Sequence, residues 1–491
     1  MATNFNAQRR SGITNAGLLR SEAYVAGKWL NAADGGAIVV HDPYTDTEIG
    51  SIPSLESARI EQALAAAGDA FPRWAREPAH VRGAVLRRWF ELIDRNREDL
   101  ARLITLENGK PLKEALGEVD YAKGFVEFYA EEARRVLGEI IPANVAGRQL
   151  RAEREPVGVC VAITPWNFPL AMLTRKVAPA LAAGCTIVAK PAQLTPLSAL
   201  ALAVLGEEAG IPAGVFSVVT GKAGTIGDIV TRSSLVRKIS FTGSTEIGAQ
   251  LMAASAPSIK RLSLELGGNA PLVIFDDADL DVAVETALVA KFRNSGQSCI
   301  AANRIYAQRG IHDRFVAAFA DRVKALKLGD GFDPVTDIGP LINEAAVEKV
   351  VEHFDDAVAG GAEVLAGGRA EPGRLTPPTL LAGVRQDALL TREETFGPLA
   401  AVIAFDTVDE GIGLANDTPF GLAAYVCSTS RTTVARATRD LESGMVGVNT
   451  GLISTPVAPF GGVKLSGLGR EGSRHGIDEY LNLKYVCEAG Y

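Results

Sequence analysis

Little in this chain could staple or anchor a fold from outside its own core. It has five cysteines, Cys160, Cys185, Cys299, Cys427 and Cys487, odd in number, scattered and without a CxxC pair. That excludes a disulfide framework and a structural zinc site, and it fits a reducing compartment, the cytoplasm. A basic excess is also missing: 50 Lys and Arg stand against 58 Asp and Glu, a net charge of −8. Neither nucleic acid nor an anionic membrane is therefore an expected partner. No apolar run approaches the roughly 18 residues that span a bilayer, and the N-terminus has no continuous hydrophobic stretch of the secretory kind. Residues 1–20 carry Arg9, Arg10 and Arg20 without an acid, a composition shared with some organelle transit peptides, and are expected to form a disordered tail. Internal repeats and low-complexity tracts are absent.

What is present suits a large soluble core. The 491 residues, 47% of them hydrophobic, correspond to about three structural units at roughly 150 residues each. From Glu22, short β-prone pieces broken by Gly, Asn and Asp-Pro predict a ribbon of strands and turns. Ser57 to Leu106 carries Ile60, Leu64, Trp74, Leu86, Trp89, Leu92 and Leu103 at helical spacing, with Pro72 and Pro78 expected to separate helices and both tryptophans expected in the core. Another helical stretch runs from Leu112 to Leu137. Beyond it the pattern alternates, with VGVCVAIT, CTIVAKP, GVFSVVTG and VRKISFTGS as strands and helix-like pieces between. This spacing predicts parallel strands with crossover helices, a doubly wound α/β unit that binds ligands at the carboxyl ends of its strands. A second alternating region from Ala270 to about Thr455 predicts a second such domain. The tail IDEYLNLKYVCEAGY reads as a strand in need of a partner outside its domain.

Cys299 sits in KFRNSGQSCIAANR, residues 291–304. Gly296 and Ser298 leave room beside the thiol, Gln297 supplies an amide, and Arg293 and Arg304 are expected to favour the thiolate, the form that acts as a nucleophile. In TPWNFP, Pro165 and Pro169 flank Asn167, so that its amide is held as a candidate donor to an oxyanion. Lys190 ends a strand, where its ammonium could meet ribose hydroxyls or phosphate. Gly243, Ser244 and Gly248 in FTGSTEIG make a candidate phosphate cradle at a helix N-terminus. Glu265, beside Gly267 and Gly268 in ELGG, is a candidate general base. Glu394 and Phe396 in ETFGP, and Phe460 in PFGG, stand in tight loops.

Taken in order, PWNFP, KP, FTGST, ELGG, GQSC, ETFGP and PFGGVKLSGLGREG resemble the aldehyde dehydrogenase superfamily from about Glu22 to the C-terminus. The resemblance implies an α/β fold with two doubly wound domains and a small β oligomerisation ribbon. It places a tail at 1–20, a coenzyme domain at 21–145 and 160–269, a catalytic domain at 270–455, and the ribbon and tail segments at 146–159 and 456–491. Cys299 would be the nucleophile, Glu265 the general base and Asn167 the oxyanion donor. Trp166, Lys190, Gly243, Ser244 and Glu394 would contact NAD or NADP. No metal is implied, and a homodimer or homotetramer is expected.

Within the superfamily, KFRNSGQSC, GPLINEAAVEKV and REGSRHGIDEYLNLKYVC are most similar to the succinate-semialdehyde dehydrogenases. A substrate with a carboxylate tail needs a cation in its pocket. Arg175 and Arg293, with the hydroxyl of Ser454, are the candidates, since Arg offers a bidentate fork. Glutarate semialdehyde, one methylene longer, and uncharged aldehydes remain alternatives. Ala301 stands where some relatives carry a second, redox-sensing cysteine, so that switch is not expected. Gln193 stands where NAD-preferring relatives have Glu, so the 2′-phosphate of NADP meets no repulsion there. A non-catalytic nucleotide-binding member of the fold would lack the nucleophile or the base. A CoA-acylating dehydrogenase would not need Glu265.

Overall fold

The computed structural model describes residues 10–490. The leading ribbon comprises β1 (Ala23–Val25), β2 (Lys28–Leu30), β3 (Ala37–His41) and β4 (Glu48–Pro53). Four helices follow: α1 (Ser57–Arg76), α2 (Ala79–Arg95), α3 (Arg97–Asn108) and α4 (Leu112–Glu132). Trp74 and Trp89 are core anchors, as their spacing predicts, and donate their indole N–H groups to the carbonyls of Leu181 (3.2 Å) and Leu202 (3.1 Å). Pro72 does not divide two helices, contrary to the sequence reading. It lies inside α1, whose buried face of Ile60, Ala63, Leu64, Ala67 and Trp74 holds the helix together across the missing N–H. Pro78 does mark a boundary, standing just before α2.

The chain continues through β5 (Glu139–Ile141), β6 (Arg148–Pro156), β7 (Val159–Ile163), α5 (Ala171–Ala183), β8 (Thr186–Lys190), α6 (Leu197–Glu208), β9 (Phe216–Val218), α7 (Ala223–Arg232), β10 (Val236–Thr242), α8 (Thr245–Ser255) and β11 (Arg261–Glu265). Strands β7 to β11 pair in parallel in the order β11-β10-β7-β8-β9, with β1 and β2 added antiparallel at one edge. The chain builds outward from β7 in one direction and then returns to its other side. This makes the β7/β10 boundary a topological switch point, where an α/β sheet opens a crevice for a ligand.

Only Leu266–Asn269 separates β11 from β12 (Ala270–Ile274), the first strand of the second sheet. After it come α9 (Leu280–Phe292), β13 (Ala302–Gln308), α10 (Arg309–Ala325), α11 (Glu344–Ala359), β14 (Glu363–Ala366), β15 (Thr379–Ala382), α12 (Leu389–Arg392), β16 (Leu399–Phe405), α13 (Val408–Asn416), β17 (Ala423–Cys427), α14 (Arg431–Asp440) and β18 (Met445–Val448). Their order is β14-β15-β16-β13-β12-β17-β18, parallel except for β14. The carboxyl end of the first sheet thus feeds directly into the amino end of the second, and the site forms where these two ends meet.

The remaining elements are β19 (Gly467–Leu468), which adds antiparallel to β11, α15 (Ser473–Asp478) and β20 (Leu481–Ala489). The tail strand finds its partner outside the two large sheets: β20 pairs antiparallel with β6 from Leu481↔Pro156 to Ala489↔Arg148. The N-terminal tail reading needs correction. Residues 1–9 lie outside the described residues, but 10–20 are docked. Ile13 and Leu18 are buried, Arg10 pairs with Asp42 and Asp330, each at 2.8 Å, and the N–H groups of Thr14 and Asn15 donate to Asp99 (2.9 and 2.8 Å). Two apolar side chains and a carboxylate distant in sequence fasten this segment, and composition alone cannot reveal such a docking surface. No helix among the described residues is long and apolar enough to cross a membrane.

Candidate active site

The loop between α9 and β13 is shaped by its backbone. Asn294, Ser295 and Gly296 take left-handed conformations (φ 53°, 56° and 74°). At Gly296 a Cβ would stand 2.2 Å from the carbonyl oxygen of Gly397 in the ETFGP loop, so only glycine lets these loops close together. Gln297 locks the turn by accepting from the Ile342 N–H (2.9 Å) and donating to the Asn294 carbonyl (3.3 Å). Gly268 of ELGG matters in the same way, since a Cβ there would lie 2.5 Å from the Cys299 carbonyl. Cys299 itself is partly exposed to the cleft. Burial, together with the nearby Glu394 carboxylate, pushes its thiol up to about 12, while Arg175 opposes the shift.

Arg304 does not assist the thiol as expected. Its guanidinium donates to the carbonyls of Asn269 (2.9 Å), Leu414 (3.1 Å) and Ala415 (3.0 Å). It sits on β13, where the strand's alternation turns it into the packing of the second sheet. Arg293 does reach the cleft, with its guanidinium 5.1 Å over the Phe168 ring.

A cavity of about 230 Å³ gathers most of the residues singled out by sequence: Trp166, Asn167, Arg175, Gly243, Ser244, Glu265, Arg293, Cys299, Glu394, Phe396 and Ser454 all line it. Lys190, Gln193 and Gly248 do not. Lys190 is buried at the end of β8, donates to the Pro191 carbonyl (3.1 Å) and has its ammonium pulled down to about 8 by burial. Gln193 donates to the Gly221 carbonyl (2.8 Å). Gly248 is a close-packing position, where a Cβ would meet Leu266 at 2.4 Å.

The FTGST turn is partly committed to the fold. The Gly243 N–H donates to the Glu265 carbonyl (3.1 Å), continuing the parallel ladder, and the Ser244 hydroxyl accepts from the Ile247 N–H (3.4 Å) as the cap of α8. The N-terminus of α8 nonetheless opens on the cavity beside Trp166, Leu266 and Gly267, an end suited to a phosphate. Glu394, half-buried and accepting from the Gly268 N–H (3.3 Å), is pushed up to about 7 by desolvation. The Phe396 ring meets Trp166 edge-on, with centroids 5.4 Å apart.

Glu265 is 2% exposed, and neither carboxylate oxygen has a hydrogen-bond partner among the described residues. Burial, then the neighbouring Glu471, raises its pKa well above the usual carboxylate range; Arg175 and Lys176 pull the other way. Glu471 lies opposite Phe460 in a two-stranded bridge and ion-pairs with both Arg175 Nε and Lys176 Nζ. These cations hold its carboxyl below the usual value despite burial. Arg175, 1% exposed and 4.2 Å over the Phe460 ring, has the Tyr121 hydroxyl beside its guanidinium, while Nη1 and Nη2 meet no carboxylate or carbonyl at hydrogen-bond geometry.

Sequence reasoning missed several contributors. Tyr121, on α4, lines the cavity and sets its buried hydroxyl against the Arg175 guanidinium. It reads as one more apolar position of a helix, and nothing local marks it. Asn294 donates to the carbonyls of both Asn167 (2.9 Å) and Gln297 (3.1 Å). Its left-handed backbone is a conformation that Asn tolerates better than most residues, and Asn before Ser-Gly was a usable signal.

A doubly wound sheet whose switch point opens on a cysteine-bearing cleft is the layout of an oxidoreductase of the nucleotide-binding α/β class. The chain belongs to the aldehyde dehydrogenase family, whose model matches residues 29–486, in agreement with the motif resemblance. It is 54% identical over 475 residues to a glutarate-semialdehyde dehydrogenase of Pseudomonas putida, covering 97% of this chain and 99% of that one. It is 53% identical over 477 residues to an NADP(+) succinate-semialdehyde dehydrogenase of Escherichia coli, with 97% and 99% coverage. The structure of a succinate-semialdehyde dehydrogenase from Burkholderia pseudomallei superposes with a TM-score of 0.96 at 51% identity, covering 97% of this chain and 100% of that one.

Proposed function

We propose that this protein oxidises succinate semialdehyde to succinate with NAD or NADP. The Cys299 thiolate attacks the aldehyde carbon, while the Asn167 side-chain amide and the Cys299 N–H hold the oxyanion. Trp166, Gly243, Ser244, Glu394 and Phe396 would hold the nicotinamide, which would supply the hydride acceptor; loss of hydride turns the Cys299 adduct into a thioester. Glu265 then takes a proton from the water that hydrolyses the thioester, and its two unpartnered oxygens are suited to that task.

The observation that carries the substrate class is the guanidinium end of Arg175, buried in the cavity wall beside the Tyr121 hydroxyl. A guanidinium removed from water needs acceptors. Arg293, Tyr121 and Ser454 share the same cavity, and a carboxylate would satisfy this set. The Pseudomonas putida relative favours glutarate semialdehyde as a second reading. Arg293→Ala is expected to lower kcat/KM for succinate semialdehyde by roughly ten- to a hundredfold, the loss of charge-assisted hydrogen bonds worth on the order of 1.5–3 kcal/mol, while butanal is hardly affected. Initial rates of reduced-nicotinamide formation with succinate semialdehyde, glutarate semialdehyde and butanal provide the check. Equal losses on the charged and uncharged aldehydes would assign Arg293 to supporting the Cys299 loop instead.

Gln193 supports use of NADP. It is neutral and tethered to the Gly221 carbonyl. A carboxylate cannot donate to that carbonyl, so Gln193→Glu should release the side chain and set a negative charge against a 2′-phosphate. The ratio of kcat/KM for NADP over NAD is expected to fall about tenfold; an unchanged ratio would move cofactor discrimination elsewhere. The strand pair β6 and β20, with Leu483 and Tyr485 exposed, supports a homo-oligomer built across this ribbon. The few scattered cysteines support a cytoplasmic location.

A further inference from the structure

The short link from α3 to α4 was not marked by any sequence signal, yet it reaches the turn that carries Asn167. Asn108 donates its amide to the Trp166 carbonyl (3.1 Å), and Lys110 donates its ammonium to the Asn167 carbonyl (2.7 Å). Lys110 is paired with Glu118 at 2.6 Å, both side chains fully buried. The other oxygen of Glu118 accepts from the N–H groups of Leu170 (2.9 Å) and Ala171 (3.3 Å), at the start of α5. The ammonium also stands 3.9 Å from the centroid of the Phe168 ring. Every residue from Trp166 to Ala171 except Pro169 is thus touched by Asn108, Lys110 or Glu118.

A buried ion pair is a poor way to gain stability, because desolvating two charges offsets most of their attraction, and apolar residues of similar volume usually do as well or better. What such a pair does provide is direction. Two short bonds to fixed backbone atoms hold a peptide more tightly than apolar packing, and an oxyanion donor works only when it is aimed before the reaction starts. The Asn167 side chain already spends one N–H on the Gln297 carbonyl (3.1 Å), so a small rotation of the 167–168 peptide would misdirect the other.

We propose that Lys110, with Glu118 as its counter-charge, is a positioning residue for the oxyanion site: together with the Asn294 amide (2.9 Å) it anchors the Asn167 carbonyl and thereby aims the Asn167 amide. This rests on Asn167 being the oxyanion donor. Lys110 touches no reacting atom, so its removal should slow formation of the Cys299 adduct without changing cofactor affinity.

The test is single-turnover formation of reduced nicotinamide from succinate semialdehyde, with active sites counted by stoichiometric alkylation of Cys299. Lys110→Met is expected to lower the burst rate about tenfold per active site, to leave burst amplitude and KM for the cofactor within about twofold, and to add nothing to Asn167→Ala in the double variant. A merely structural role would reduce the number of active sites instead of the rate at each. If Lys110→Met fails to fold, Lys110→Met/Glu118→Gln removes the stranded carboxylate and carries the same comparison. A wild-type burst rate in the Lys110 variant while Asn167→Ala is slow overturns the positioning role, as would losses that simply add. A wild-type rate in Asn167→Ala would instead remove the oxyanion reading on which it rests.

Discussion

Cys299→Ala is expected to abolish aldehyde oxidation, by at least about 10⁴-fold, while leaving NAD(P) affinity within about twofold. The large effect follows from chemistry: no other thiol lines the cavity, and the sp² aldehyde carbon gives up hydride only after a nucleophile has made it tetrahedral. The small effect follows from placement, because Trp166, Gly243, Ser244 and Glu394 stand on other segments. Steady-state rates and titration of the variant with each cofactor measure the two halves. Residual turnover above about one part in a thousand would remove Cys299 from the mechanism. The raised thiol pKa of about 12 adds a pH signature in the cofactor-free enzyme. The reactive thiolate fraction grows tenfold per pH unit below the pKa, so alkylation of Cys299 by iodoacetamide should climb through pH 7 to 9 without levelling.

Glu265→Gln should fail at a different point. Adduct formation and hydride loss do not need the base, so the variant should give a burst of reduced nicotinamide near one per active site and then stall as the thioester. The steady-state rate is expected to fall by about 10²–10⁴-fold. In the wild type, burial favours the protonated acid; water activation needs the carboxylate, so the hydrolytic step should accelerate as pH rises through the elevated pKa. The Gln variant should lose that dependence. Stopped-flow traces across pH provide both readouts, and a steady-state rate near wild type without a burst would assign the base elsewhere.

The motifs that name the family are local because the chemistry they serve is local. A turn after a strand, a glycine under a close approach and a cysteine in a small-residue loop each need particular residue types at fixed spacing. The alternation of strands and helices from Val159 onward likewise follows from burial on both faces of a parallel sheet, and it is legible one segment at a time. Gly268 and Gly296 were visible as residues but not as reasons, since the carbonyls they admit, of Cys299 and Gly397, belong to distant segments. Arg304 shows the opposite error: five residues from Cys299 in the chain, it is turned by strand alternation into a set of carbonyls.

By itself, then, the sequence determined that this chain folds as two doubly wound α/β units, belongs to the aldehyde dehydrogenase family and carries Cys299, Glu265 and Asn167 in the matching motifs. Only the tertiary structure decided that residues 10–20 dock, that α1 runs through Pro72, that Arg175 is tied to Glu471 in the cavity wall beside Tyr121, and that Lys110 grips the Asn167 carbonyl. The physical reason is range. Spacing along the chain encodes which face of an element is buried, whereas a buried charge is defined by the partner that compensates it, and for Arg175 that partner lies 296 residues away.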